Sequence, residues 1–123
     1  MHNKEYQKRS RRAERTRYVV KRAIKSAKGQ RLRLSVFRSS RYIYGQVIDD
    51  ATMHTLVAAS SLEQEFRKQD MKPVELANLV GRALGARAVG KDIKLMVADR
   101  GARRYHGRVA AFIEGVRASG VDI

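Results

Sequence analysis

The stretch "LRLSVFRSSRYIYGQVID", residues 32–49, decides the fold of this 123-residue chain. Apolar and polar residues alternate through "LRLSVF", break at "RSSR", and alternate again through "YIYGQVID". A period of two is the mark of a half-buried strand, and two such runs around a four-residue break predict a β-hairpin. With Arg38 to Arg41 as the loop, Phe37 faces Tyr42 and Val36 faces Ile43. One side of the hairpin then carries Leu32, Leu34, Val36, Ile43, Gly45 and Val47, a core set. The other carries Arg33, Ser35, Phe37, Tyr42, Tyr44 and Gln46 and is aromatic and polar. A one-residue slip would mix the two sets, so the pattern specifies the faces strongly.

Downstream, "DDATMH" reads as a turn and "TLVAAS" as a third, antiparallel strand. After "EFRKQDMK", Pro73 suits a first helical turn and Glu75 its positive end. Leu76, Ala77, Val80, Ala83, Leu84 and Ala88 follow helical spacing, and Gly90 supplies the stop. Gly81 and Gly85 weaken this helix but permit close packing against the sheet. "IKLMVA" has the length and composition of a buried strand. Val109, Phe112, Ile113 and Val116 mark a last helix, ended by Gly120. The expected fold is a mixed α/β sheet: three antiparallel strands, a helix, a parallel strand beside the first, and a final helix. The helices lie on one face, leaving the aromatic face of the hairpin uncovered.

Charge separates the chain into two parts. Twenty-seven Lys and Arg against twelve Asp and Glu leave +15. Residues 1–33 hold thirteen of the basic residues and two acids, Glu5 and Glu14, while the rest of the chain is close to balanced. The division is a basic arm over 1–30 and a mixed α/β domain over 31–123. Within the arm, Tyr6, Ala13, Val20 and Ala27 recur every seven residues, which allows a helix with a thin apolar stripe. Repulsion between like charges opposes that helix, so the arm is expected to be partly disordered alone and to become ordered on a polyanion. Such an excess of cations points to nucleic acid ahead of a membrane surface.

Other classes are excluded by what the chain lacks. It has no cysteine, hence no disulfide or thiolate metal site. His2, His54 and His106 have no zinc-like spacing. No apolar run approaches the roughly 20 residues needed to cross a bilayer, and no apolar signal core opens the sequence. A reduced, cytosolic location is expected, and no metal or other cofactor.

The segment "DRGARRYHGR", residues 99–108, resembles an active site. Asp99 could orient His106 as a general base, and with Asp49 and Asp50 could form a metal-dependent nuclease. Metal-assisted phosphodiester hydrolysis wants several convergent carboxylates, whereas Asp49 and Asp50 fall in an exposed turn. The competing reading is a grip on a phosphate backbone. Arg100, Arg103, Arg104 and Arg108 surround a strand-to-helix turn whose backbone amides suit an anion. Asp99 would fix an arginine or cap the loop. His106 would contact RNA or sit at the helix start. On the sheet face, Phe37, Tyr42 and Tyr44 beside Arg33, Arg38 and Arg41 match the way unpaired bases stack on rings while cations hold phosphates. A nonspecific basic nucleic-acid-binding module is the other alternative.

Four blocks in register, "RLSVFRSSRYIYGQVID", "TLVAASS", "VGRALGARA" and "ADRGARRYHGRVAAF", resemble bacterial large-subunit ribosomal protein L-eighteen over residues 31–123. The resemblance implies a non-catalytic domain, related in shape to ribonuclease-H-like folds, on the ribosome of a cytoplasm or organelle. It implies 5S rRNA and 23S rRNA as partners in the central protuberance, beside ribosomal protein L-five, with no obligate homo-oligomer. Carried onto this chain, RNA contacts would come from Lys8, Arg9, Arg11, Arg12, Arg15, Arg17, Lys21, Arg22 and Lys25 of the arm. The hairpin would add Arg33, Phe37, Arg38, Ser39, Ser40, Arg41, Tyr42, Tyr44 and Gln46. The second segment would add Arg100, Gly101, Arg103, Arg104, Tyr105, His106, Gly107 and Arg108. The chain departs from the family pattern at Leu32, usually proline, at Ala98 and Arg103, usually aromatic, and at Ala102, usually glycine.

Overall fold

A computed structural model describes residues 10–17, 31–101 and 104–123. Residues 10–17 are helical (α1). Then come β1 (Leu32–Arg38), β2 (Ile43–Asp49), β3 (His54–Ser60), the short α2 (Gln64–Arg67), α3 (Pro73–Gly90), β4 (Met96–Asp99) and α4 (Gly107–Ala118). The four strands form one sheet in the order β3-β2-β1-β4. β1 pairs antiparallel with β2, and β2 with β3; β4 lies parallel to β1, as the crossover rule requires.

The alternation in the hairpin places its side chains as expected. Leu34, Val36, Ile43 and Val47 are buried, with Val57, Ala59 and Met96 beside them on the same face. The register differs by two residues from the sequence-based pairing. Val36 faces Gly45, Phe37 faces Tyr44, and Arg38 faces Ile43, so the loop is 39–42 rather than 38–41. The Ser39 side chain draws the tip together, its Oγ accepting from the amides of Tyr42 (3.1 Å) and Arg41 (3.4 Å). That turn chemistry pulls Tyr42 out of the ladder. Between Val47 and Ile48 the β2–β3 ladder slips by one residue, leaving Leu56 as the extra residue of a bulge.

Helices α3 and α4 cover the core face. Ala77, Val80, Leu84 and Ala88 from α3 meet Val109, Phe112, Ile113 and Val116 from α4, all buried. Glycine explains how closely they approach, though the partner differs from the expected one. A Cβ on Gly81 would lie 2.1 Å from the Phe112 carbonyl oxygen, and one on Gly85 2.6 Å from the Ser119 Cβ. A Cβ on Gly115 would lie 2.3 Å from the Asn78 carbonyl oxygen. These glycines bring helix against helix, not helix against sheet. The glycine that serves the sheet is Gly45, where a Cβ would meet the Phe112 ring at 2.3 Å.

Both sheet edges carry something. At the β4 edge, the Met96 amide donates to the Asp122 carbonyl (2.9 Å) and the Asp122 amide to that of Lys94 (2.8 Å). Arg31 joins them through Met96 O (3.0 Å) and Asp122 Oδ2 (3.2 Å). At the β3 edge, Arg87 and Lys91 of the α3 end reach across to the carbonyls of Ala58 (2.7 Å) and Leu56 (2.8 Å). Glu63 holds Arg87 at 2.6 Å, and that guanidinium keeps the Glu63 carboxyl below its ordinary value. The Leu32 amide donates to the Leu95 carbonyl (3.2 Å), a bond that a proline at this position could not make.

Candidate nucleic-acid interface

The far end of the sheet, where β1 and β4 finish, gathers the two segments singled out in the sequence. The first is the hairpin tip, 38–42. The second is the β4–α4 turn, 99–107. They are joined by one side chain: Arg108 donates from Nη1 to the Ser40 carbonyl (3.2 Å) and from Nη2 to the Ser39 carbonyl (3.3 Å).

Asp99 shapes the turn. The residue is almost fully buried, 5% exposed. Oδ1 accepts from the Gly101 amide (3.0 Å), closing an Asx-type loop, and Gly101 takes the left-handed φ of +60° that this loop needs. Oδ2 accepts from Arg33 Nη1 (3.1 Å). Arg33 in turn grips both oxygens of Asp50 through Nε (3.1 Å) and Nη2 (3.0 Å). The Asp50 hydrogen bond, opposed by partial burial and helped by Asp99, pushes the Arg33 guanidinium above its usual value. Asp99 therefore does both jobs foreseen for it, fixing an arginine and capping the loop. Among the described residues no group of three His, Asp or Glu is placed to hold a metal ion. Replacing Asp99 with alanine is expected to cost about 1.5–3 kcal/mol, the worth of hydrogen bonds to a charged group. Asp99→Asn, which keeps an acceptor for Gly101, should lose less; thermal melts of both variants measure the difference.

The described cations and rings are disposed unevenly. Phe37, on the hairpin face opposite the core, is 65% exposed, and Tyr42 in the tip loop is 44% exposed. Phe37 and Tyr44 are cross-strand partners there. Tyr44 Oη donates to Gln46 Oε1 (3.0 Å), which fixes the ring, and Thr55 adds a second bond to the same oxygen. Arg41, Arg104, His106 and Gly107 are exposed, Ser39 is half-buried and Ser40 exposed. Arg38 continues the core-face alternation and is half-buried beside the tip. The Arg100 Nε is buried without a hydrogen-bond partner among the described residues, leaving a donor that an anion oxygen would satisfy. Tyr105 turns back onto α4: its hydroxyl donates to Glu114, while Arg117 donates to it (3.1 Å) and lies over its ring. Burial and the Glu114 bond push that phenol above its ordinary value. His106 precedes α4 in an extended conformation without a side-chain cap, and Gly107 opens the helix at φ +56°.

Arg33 and Arg108 are the residues whose placement the sequence did not foresee. Arg33 is engaged by two carboxylates and Arg108 by two carbonyls, so both have intramolecular work on this surface. Of the arm, Arg11, Arg12, Arg15 and Arg17 are exposed on α1. Lys8, Arg9, Lys21, Arg22 and Lys25 lie outside the described residues, as do Ala102 and Arg103. Of the seven-residue stripe, Ala13 is within α1 and the other three positions lie outside the described residues. The expected ordering of the arm on a polyanion likewise falls outside them.

A basic α/β domain with aromatic rings and arginines gathered at one end of its sheet has the build of a ribonucleoprotein component. Comparison with known proteins agrees. The family of ribosomal L18 of archaea, bacteria, mitochondria and chloroplast matches residues 3–123. A protein of Thermomicrobium roseum, named large ribosomal subunit protein uL18, is 50% identical over 96 residues, 76% of this chain and 77% of that protein. Proteins of the same name from Dictyoglomus turgidum and Azorhizobium caulinodans are 52% and 48% identical. They cover 76% and 89% of this chain and 78% and 92% of their own lengths. The chain belongs to the ribosomal L18 family. It is a structural ribosomal protein and not an enzyme. No helix among the described residues is long and apolar enough to cross a membrane.

Proposed function

We propose that this protein binds 5S rRNA in the large ribosomal subunit and helps attach it to 23S rRNA in the central protuberance, beside ribosomal protein L-five. The observation that carries the reading is the junction at Arg108, which makes the hairpin tip and the arginine-rich turn one surface. Phe37, Tyr42 and Tyr44 offer rings to unpaired bases, and Arg38, Arg41, Arg100, Arg103 and Arg104 offer charge to phosphates. Ser39, Ser40, Gln46, Gly101, Tyr105, His106 and Gly107 complete the surface with polar groups and backbone. The basic arm, 1–30, acts as a second contact. It joins the domain at Arg31, the opposite end of β1 from the tip, about 23 Å away at the usual rise of a seven-residue strand.

Binding of this kind depends steeply on salt. Six to ten phosphate contacts correspond to a loss of roughly three to five decades of affinity between about 50 and 200 mM salt, on the DNA calibration. Titrating the full chain with labelled 5S rRNA across that range measures the slope, and a flat response rejects the electrostatic part. Competition with transfer RNA and duplex DNA tests specificity. Equal competition by either would make the protein a nonspecific basic module.

A further inference from the structure

We propose that Arg108 is a positioning residue: its guanidinium sets the hairpin tip against the α4 start, and RNA recognition depends on its geometry more than on its charge. The inference rests on the RNA-binding reading of this surface and assigns a different role to one of its arginines.

Three observations carry it. First, both terminal nitrogens of Arg108 are directed to consecutive carbonyls, Ser40 O and Ser39 O, across nearly seventy residues of sequence. A planar fork meets two such acceptors with two donors in a fixed geometry, whereas an ammonium is a compact point charge on a flexible stem that sets no such geometry. Second, the target is the residue that builds the tip: Ser39 Oγ takes the amides of Arg41 and Tyr42, and the Ser39 amide donates to the Tyr42 carbonyl (2.9 Å). Pulling on the 39–40 carbonyls therefore orients Tyr42 and Arg41. Third, Arg108 sits in the first turn of α4, which holds no acidic residue. A cation there opposes the helix macrodipole; the two carbonyls supply the negative ends that offset the conflict. A side chain committed in this way has less to offer a phosphate than Arg41 or Arg104, which stand exposed nearby.

The test uses the full chain and three readouts. Arg108→Lys keeps the charge and loses the fork. Positioning predicts roughly tenfold weaker 5S rRNA binding, an unchanged salt slope, and a melting temperature close to that of the parent. By contrast, Arg41→Ala should lower the slope by about 0.7–0.9, the loss of one phosphate contact. Arg108→Lys should also be non-additive with Tyr42→Ala, because both act through the same ring. Hydrogen exchange at the Arg41 and Tyr42 amides, measured without RNA, should accelerate in Arg108→Lys. Ser39→Ala loosens the tip from its own side and should reproduce the binding loss while leaving Arg108 untouched. Parent-like binding by Arg108→Lys, or additivity with Tyr42→Ala, overturns the proposal. Unchanged exchange at the tip also overturns it, and does so independently of RNA. A parent chain that does not prefer 5S rRNA rejects the function instead, while the exchange result still decides the role of Arg108.

Discussion

A chain lacking residues 1–30 is expected to bind 5S rRNA on the order of 10²–10³-fold more weakly than the full chain at near-physiological salt, because each lost phosphate contact forfeits counterion release. The removed segment holds eleven of the twenty-seven basic residues and only two acids. The cut leaves the domain anchored, since Arg31 keeps its bonds to Met96 and Asp122, so melting should change little. Preference for 5S rRNA over transfer RNA should survive on the tip and the turn, where the rings are. Competition assays on the two chains measure both quantities. Complete loss of preference would move recognition into the arm.

The second large effect concerns stability. Phe112 is fully buried, and its ring reaches the sheet through the gap left by Gly45. Phe112→Ala is expected to cost about 3–5 kcal/mol, as large-to-small core changes do. Gly45→Ala alone forces a methyl into the ring at 2.3 Å and should cost about 1–3 kcal/mol through overpacking. Combined, the two substitutions should partly cancel: with the ring gone, the methyl added at position 45 enters a cavity instead of a clash. Denaturant unfolding of the two single variants and the double variant gives the coupling. Additive losses would show that Phe112 and Gly45 do not share this space.

The same contact shows what was legible in the sequence. Alternation in 32–49 assigned Leu34, Val36, Ile43 and Val47 to the core, and the parallel position of β4 followed from chain order. The register did not follow, because a two-residue shift leaves every side chain on its own face. Only the local bonds of Ser39 distinguish a tip at 39–42 from one at 38–41. α2 escaped because a four-residue helix has no periodicity to show. Gly81 and Gly85 announced close packing, but the sheet expected as its partner gives way to α4, since a missing side chain is silent about what fills its place.

The candidate interface was legible in the same uneven way. Residue types marked both of its segments, and the carboxylate of Asp99 had only a few structural jobs open to it. That Arg108 ties one segment to the other, and that Arg33 is held by Asp50 and Asp99, are long-range pairings. No local pattern encodes them.

The occupied sheet edges bear on the protein before it meets RNA. An open edge strand invites another copy to add on, and the growth can continue chain after chain. Here a newcomer at β3 would have to displace Arg87 and Lys91 from the Ala58 and Leu56 carbonyls, and one at β4 would have to strip off the C-terminal residues. Every copy also carries the same +15 charge, which repels its neighbours while nothing neutralises it. Both features are expected to disfavour the edge-to-edge addition of free chains.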